Sequence, residues 1–423
     1  MKAWARHSRG YILTVLTLIY LVNFIDRQIL PILLQPIKDE FKVSDSALGL
    51  LLGPTFALFY SVLGVPMAML ADRVNRKTLI GISLALFAVM TAACGLAGRF
   101  WQLAVMRVWT GVGEAGTGPA SQAMIADLYP PAERSKAQAT YATGSNLGVL
   151  VAFALGGLIA ARFGWRAAFL LASLPGLTLA VLLFATVEDV PRGRSEAVVD
   201  AEAAPRLSRV LSHLCASKTF RFTALGACMT CFTGNAVFGF FPAFLMRSHG
   251  LRIGQIGLIV ALITGVGGGL ATFLSGYLAD RMARRDRRWN LYIPAIAALI
   301  PLPLAPVCFL SGNLALTLCA AVPILALTAA FIGPVITTVQ QLAPLRMRAT
   351  SVAMLILIDN VVGLGLGPQF VGLVSDALHP AFGADSLRIA MLAAMAGSAI
   401  SVIGFLLGAR SLRAELITEG VVL

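Results

Sequence analysis

This 423-residue chain has little charge: Asp, Glu, Lys and Arg together make up 13% of it. A soluble domain carries roughly twice that share, because polar groups must cover its surface. With 58% apolar residues and a mean hydropathy of +0.83, this chain has the composition of an integral membrane protein. Histidine is scarcer still, and His7, His213, His249 and His379 fall in loops or tails. Of the six cysteines, Cys94, Cys228, Cys231, Cys308 and Cys319 lie inside apolar runs and Cys215 in a basic stretch, which excludes a disulfide framework. The Cys228/Cys231 pair has CxxC spacing but no second pair to complete a zinc site. A Ser-His-Asp set and a Walker loop are both missing, which leaves an enzyme without its nucleophile and an ATP-driven pump without its phosphate cradle. Gly111-x-Gly113-x-x-Gly116 spells a dinucleotide fingerprint, but it sits in an apolar helix and follows no strand. Such glycines suit close helix packing.

What the chain does have is long apolar runs. Twelve are of the ~20-residue length that a bilayer core requires: about 11–37, 46–70, 78–98, 101–124, 137–161, 166–186, 222–246, 255–279, 290–311, 314–338, 350–374 and 387–409 (spans 1 to 12). They lack the alternation of barrel strands and are expected to be helical. Span 1 follows Lys2, Arg6 and Arg9 as a signal peptide would, but it is too long, contains Asp26 and Arg27, and reads as a retained helix. The net charge of +13 is membrane-related rather than a nucleic-acid footprint. With the N-terminus inside, 23 of the 33 Lys and Arg collect in inner loops and tails and 8 outside, so both termini are expected in the cytoplasm.

The polar stretch 187–221 divides the chain. Its first half is rich in Pro, Gly and acids and reads as flexible. In the second, Leu207, Val210, Leu211 and Leu214 oppose Arg206, Arg209, His213 and Lys218 as a short basic amphipathic helix for the inner leaflet, with His213 on the solvated face. The expected organisation is an N-terminal six-helix bundle (1–187), a cytoplasmic linker (188–221) and a C-terminal six-helix bundle (222–423). These halves repeat. Ala68-Met-Leu-Ala-Asp72-Arg73-Val-Asn-Arg76-Lys77 matches Gly276-Tyr-Leu-Ala-Asp280-Arg281-Met-Ala-Arg284-Arg285 at an offset of 208. Leu128-Tyr-Pro130…Arg134…Asn146 matches Leu342-Ala-Pro344…Arg348…Asn360 at 214. Parallel repeats of this kind mark secondary transporters with a site at the repeat interface.

The repeated loop, L-A-D-R-x-x-R-[KR], resembles the signature loop of the major facilitator superfamily, departing from it where Ala68 and Asn75 replace glycines. Within that family Asn23-Phe-Ile-Asp26-Arg27, together with Arg107-Val-Trp-Thr-Gly111-Val-Gly113-Glu114-Ala-Gly116 and Ile125-Ala-Asp127-Leu-Tyr-Pro130, is similar to the spinster branch. The resemblance implies an all-α fold of twelve transmembrane helices in two pseudo-symmetric six-helix bundles, working by alternating access. It points to sphingosine-1-phosphate or lysophospholipid-like substrates.

A charge at the bilayer centre costs roughly 2.5–3.5 kcal/mol, so Asp26, Arg27, Arg107 and Glu114 mark a functional site before a structural one. Arg107 and Glu114 are seven residues apart, about two helical turns, and share a face. At ~1.5 Å per residue Arg107 lies roughly 10 Å, Asp26 ~16 Å and Glu114 about 20 Å from the outer helix ends, and Asp359 ~13 Å from the inner end. The four charges in spans 1 and 4 sum to zero; protonating one carboxylate leaves a net positive site for an anion. Burial disfavours and a neighbouring arginine favours an ionised carboxylate, so exchange near neutral pH is accessible.

Asp26 and Glu114 are therefore the expected proton-coupling residues, and Arg27, Arg107, Asn146, Asp359 and Asn360 the expected substrate-binding ones. Asn146 and Asn360 also suit symmetric interhelical hydrogen bonds. Asp72, Arg73, Arg76, Asp280, Arg281 and Arg284 form the expected cytoplasmic gate, where a carboxylate caps a helix and pairs with arginines. Phe238, Phe240, Phe241 and Phe244 either line an acyl-chain cleft or face lipid, the second being preferred. The chain is expected to use protons as its coupling ion, with no cofactor, no metal and no catalytic residues. Its partners would be the bilayer and a small amphipathic substrate, without nucleic acid, as a monomer of the bacterial inner membrane. The function expected is proton-coupled transport of an amphipathic anionic lipid. An organic-acid or sugar-acid symporter and a drug/proton antiporter are the alternatives, and a non-transporting receptor the reading from another class.

Overall fold

The computed structural model describes residues 8–71, 73–190, 207–344 and 347–418, and among them it contains helices and no strand. Nine of these helices are long and apolar enough to cross a membrane. Two, Lys136–Thr186 with 51 residues and Thr350–Leu412 with 63, have the length of two spans each. Phe100–Leu128, carrying Arg107, Glu114 and Asp127, stands outside the nine and completes the twelve.

Where the helices differ from the expected spans, a backbone feature explains it. Span 2 is not continuous: Asp45–Leu52 and Pro54–Ala71 meet at Gly53 (φ −102°, ψ −89°), and Pro54 has no N–H with which to continue the first piece. Spans 5 and 6 have no loop between them; Pro131–Thr186 bends at Gly164, whose φ of 82° suits only glycine. Spans 8 and 11 each contain a π-helical stretch, Leu262–Gly267 and Asp359–Leu366. Such stretches widen a helix locally and recur at functional sites.

Contacts group the described residues into two units. The first comprises those of Met1–Val43, Pro54–Ala201 and Leu251–Ala261, the second those of Ser44–Gly53, Glu202–Gly250 and Leu262–Leu423. In the first unit Arg9–Phe41 packs along Pro131–Thr186, and Arg76–Gly95 along Phe100–Leu128. The approach is close because glycine permits it: a β-carbon on Gly144 would lie 2.6 Å from the Thr17 carbonyl oxygen, and one on Gly148 2.6 Å from that of Leu21. Leu16, Ile19, Leu84, Phe87 and Ile125 fill the core beside them.

In the second unit Asp45–Leu52 lies on Gly367–Phe382, where Gly49 faces the Pro368 carbonyl. Arg247 Nη1 and Nη2 donate to the two Asp45 oxygens at 2.8 Å each, and Ser375 Oγ donates to Oδ2 at 2.7 Å. Asp376 accepts the N–H groups of Asp45 (2.9 Å) and Ser46 (2.8 Å), capping the short helix from outside its own chain segment. Partial burial raises the Asp376 carboxyl, but the hydrogen bonds from Ser46, Asp45 and Ser44 outweigh it and hold the group below the usual carboxylate range. Its stabilisation is thus present above the unfolded value near pH 3.9 and fades as pH falls through the lower folded value. Asp376→Ala should cost about 1 kcal/mol at pH 7, its partial exposure trimming the effect, and progressively less as pH falls below the unfolded carboxylate value. Thermal melting of both proteins across that range checks it.

Two expectations on the second unit change. Phe240, Phe241 and Phe244 are buried, not lipid-facing; Phe244 packs edge-on against Phe309 at 5.6 Å, so span 7 turns this face inward. The linker helix Leu207–Ala216 puts Val210 and Leu214 into the unit's core rather than leaving that face for the leaflet, and His213 Nε2 meets the Leu342 carbonyl at 3.1 Å. The linker's Pro/Gly/acid-rich part before residue 207 lies outside the described residues, apart from its first three positions.

Candidate functional site: a buried four-charge cluster

Four ionised side chains of spans 1 and 4 meet inside the first unit as two pairs. Arg107 Nη1 donates to Asp26 Oδ2 at 2.7 Å, both residues being 1% exposed. Arg27 Nη2 donates to Glu114 Oε1 at 2.5 Å. Consecutive residues 26 and 27 diverge by about 100° around a helix, so span 1 offers its acid and its base to different turns of span 4. Arg107 and Glu114, two turns apart, receive them. One oxygen of each carboxylate, Asp26 Oδ1 and Glu114 Oε2, has no hydrogen-bond partner among the described residues.

The surroundings serve the cationic side of the cluster. The Arg27 guanidinium lies 4.7 Å from the Tyr60 ring centre, 5.0 Å from Phe56 and 5.1 Å from Phe24, an aromatic shelf that attracts a cation through the ring quadrupoles. Phe56 also faces Arg107 at 5.4 Å. Tyr20 stacks on Tyr141 at 4.4 Å and meets Phe24 edge-on. Asn23 Nδ2 donates to Thr117 Oγ1 at 2.6 Å, and Thr117 Oγ1 to the Glu114 carbonyl at 2.8 Å, which ties spans 1 and 4 together one turn beyond the charges. None of Phe56, Tyr60, Tyr20 or Thr117 stands out in sequence, because aromatic and hydroxyl residues are ordinary in any span. The signal available is spacing: Tyr20, Asn23, Phe24 and Arg27 follow i, i+3, i+4, i+7 along one helix face.

The glycines that resemble a dinucleotide loop are packing positions. A β-carbon on Gly111 would lie 2.9 Å from the Phe56 carbonyl oxygen and one on Gly113 2.8 Å from the Phe87 nitrogen, while Gly116 meets Ser83. They let span 4 sit close enough to its neighbours for its charges to stay out of lipid.

The remaining expected residues take no part in these two pairs. Asn146 is exposed, so it makes no buried interhelical bond in its unit, whereas Asn360 is half-buried in the second. Asp359, in the second unit, opens the π-helical stretch and is 8% exposed. At the expected gate Asp72 lies outside the described residues and Arg73 is exposed. Arg76 forms an ion pair with Asp127 and donates to the Ala123 carbonyl at 3.3 Å. Asp127, noted in sequence only within the spinster-like run, is therefore the acid that holds the first loop copy. The second copy is built differently: Asp280, Arg281 and Arg284 are exposed, and the position of Asp127 in that half is Gln341. The other sequence repeat has one shared use. Arg134 Nη2 donates to the Ala126 carbonyl (3.0 Å) and Arg348 Nε to that of Ala343 (3.3 Å), each closing the end of the preceding helix.

Known proteins carry the same architecture. The family model of the Major Facilitator Superfamily matches residues 16–368. An MFS-type efflux pump of Mycolicibacterium smegmatis is 32% identical over 422 residues, covering 99% of this chain and 95% of the pump. Protein spinster homolog 1 of Rattus norvegicus is 28% identical over 404 residues, covering 88% and 74%. A crystal structure of a bacterial homolog to the human lysosomal transporter Spinster, inward-facing and unoccupied, superposes with a TM-score of 0.88 at 31% identity over 96% of this chain and 98% of that one. With the family model covering most of its length and this relative nearly all of it, the chain belongs to the major facilitator superfamily, as a membrane transporter related to the spinster proteins.

Proposed function

We propose that the protein is a proton-coupled secondary transporter of an amphipathic anion, of the sphingosine-1-phosphate or lysophospholipid type, cycling by alternating access. The observation that carries this reading is the neutral double pair with one unpartnered oxygen on each carboxylate. A proton arriving at Glu114 or Asp26 frees one guanidinium from its partner. Arg27, whose side chain is 15% exposed against 2% for Arg107, is the one an anionic head group would reach. Loss of the proton restores the internal pair and expels the anion. The aromatic shelf around Arg27 suits a molecule with an apolar body behind that head group. In this reading the expected gate residues Asp72, Arg73, Arg76, Asp280, Arg281 and Arg284 control cytoplasmic access, Asn146 and Asn360 contact substrate, and the protein works as a monomer in a bacterial inner membrane with both termini in the cytoplasm.

A second reading, drug/proton antiport, is favoured by the efflux-pump relative at 32% identity. Proteoliposomes loaded at one pH and diluted into another separate the two. Under the first reading a lysophospholipid accumulates only with an imposed proton gradient, while a cationic dye does not. Dye extrusion without lysolipid movement would select the antiporter, and indifference of both to the gradient would reject proton coupling.

A further inference from the structure

The first unit holds a row of buried polar atoms that the two ion pairs leave unused. From Glu114 toward the inner end of Phe100–Leu128, the same helix face continues with Thr117 and Ser121, at i+3 and i+7. Both are buried. Thr117 Oγ1 gives its one proton to the Glu114 carbonyl at 2.8 Å, so toward Asn23 it can only accept. Asn23 must therefore present Nδ2 to it, at 2.6 Å, which leaves Oδ1 free of that bond. Three atoms in succession then have no hydrogen-bond partner among the described residues: Glu114 Oε2, Asn23 Oδ1 and Ser121 Oγ. The buried Tyr141 phenol faces Ser121 outside regular hydrogen-bond geometry, and its ring stacks on Tyr20 at 4.4 Å.

Buried polar atoms are almost always paired, and where the protein supplies no partner an internal water with several polar contacts does so. Arg27 and Arg107 both lie toward the outer helix ends from Asn23 and Thr117, and on that side the Thr110 hydroxyl is committed to the Arg107 carbonyl at 2.7 Å. The other titratable groups around Glu114 and Arg27 are Asp26, the Tyr20, Tyr60 and Tyr141 phenols, and Cys94, which faces Arg107 and Asp26 from Arg76–Gly95. A hydronium is repelled by the two guanidiniums and finds an uncharged polar path on the inner side. We propose that Asn23, Ser121 and Tyr141 hold a file of water that carries the proton between Glu114 and the cytoplasm, with Thr117 as the positioning residue that orients Asn23. The Glu114 O–H proton passes to the water at Oε2. Ser121 and Tyr141 each take one proton on oxygen and release their own, so that one proton reaches the inner side. The carboxylate left behind re-forms its pair with Arg27. This rests on the transport reading above, including which helix ends are cytoplasmic, and adds the inner leg of the proton's route.

Water beside a buried ring can be read on the unmodified protein. Hydroxyl radicals made in place by X-ray radiolysis oxidise an aromatic ring that touches water, and peptide mass spectrometry locates the product. Tyr141 should be oxidised about fivefold faster than Phe153, a buried ring on the same helix. Ser121→Thr and Ser121→Val then separate the hydroxyl from its bulk, because the two introduced side chains have nearly one shape. Under a pH gradient, Ser121→Val proteoliposomes should accumulate lysophosphatidylglycerol about tenfold more slowly than Ser121→Thr ones. Counterflow at symmetric pH, which needs no net proton release, should be the same in both. Tyr141 as unreactive as Phe153, equal gradient-driven uptake in the two variants, or counterflow lost in step with uptake would each overturn the proposal, the first of them whether or not the variants fold. Wild-type uptake indifferent to the gradient, with Tyr141 still oxidised, would instead sink the proton-coupling reading and leave the water file in place.

Discussion

Glu114→Gln should reduce gradient-driven accumulation to the level of protein-free liposomes while leaving substrate exchange across the membrane active. The amide oxygen of Gln can still accept from Arg27 Nη2, now 2.5 Å from Glu114 Oε1, so the helices remain together. The substitution removes one negative charge for good, which places the cluster permanently in its net positive state. An anion then binds and moves down its own gradient, but no proton can leave to expel it. Asp26→Asn should do the same through the other pair, where Arg107 Nη1 lies 2.7 Å from Oδ2. The measurement is paired: uptake against a pH gradient, and counterflow at symmetric pH. Full gradient-driven uptake in both variants would remove these carboxylates from the coupling scheme.

The second large effect is on stability. Arg107 is among the largest fully buried side chains of the molecule, and its loss strands the Asp26 carboxylate with no water to solvate it. Removing one partner of a buried pair typically costs about 3–5 kcal/mol, far more than the pair contributes relative to an apolar replacement. Arg107→Met should therefore melt well below the wild type, and the double variant Asp26→Asn/Arg107→Met should regain most of the loss, because no charge remains to be stranded. Arg27→Met should cost less, since its side chain retains some exposure. A single Arg107→Met variant as stable as the wild type would show that Asp26 is neutralised by something other than this arginine.

The charges themselves were legible in the sequence, since an acid and a base in an apolar run stand out against their background. Their common depth followed from helical rise alone. Which acid takes which base did not, because Asp26 and Glu114 have similar chemistry and the choice depends on helix rotation and crossing, which tertiary packing decides. The repeat announced Arg134 and Arg348, and both close a helix end. The two loop copies are held differently, which the repeat does not reveal: Arg76 is held by Asp127, whereas its counterpart Arg284 is exposed in a half that has Gln341 at that position. Aromatic residues suit either side of a helix, so the sequence does not orient the span 7 phenylalanines; the burial of Phe240, Phe241 and Phe244 and the Phe309 neighbour of Phe244 do. Breaks at Gly53, Leu262–Gly267 and Asp359–Leu366 were hidden because apolar composition registers length and not hydrogen-bond register.

The bend at Gly164 has a practical bearing on labelling. Its neighbours are tied down at once, with Trp165 Nε1 and Arg166 Nη1 both donating to Glu40 Oε2 at 2.7 and 2.5 Å. An epitope or fluorescent reporter inserted between residues 163 and 166 would have to break those bonds and unwind two helices, so expression should fail there. The turn at Ser311-Gly312-Asn313, where a β-carbon on Gly312 would meet only open space, is the better insertion point for a surface tag.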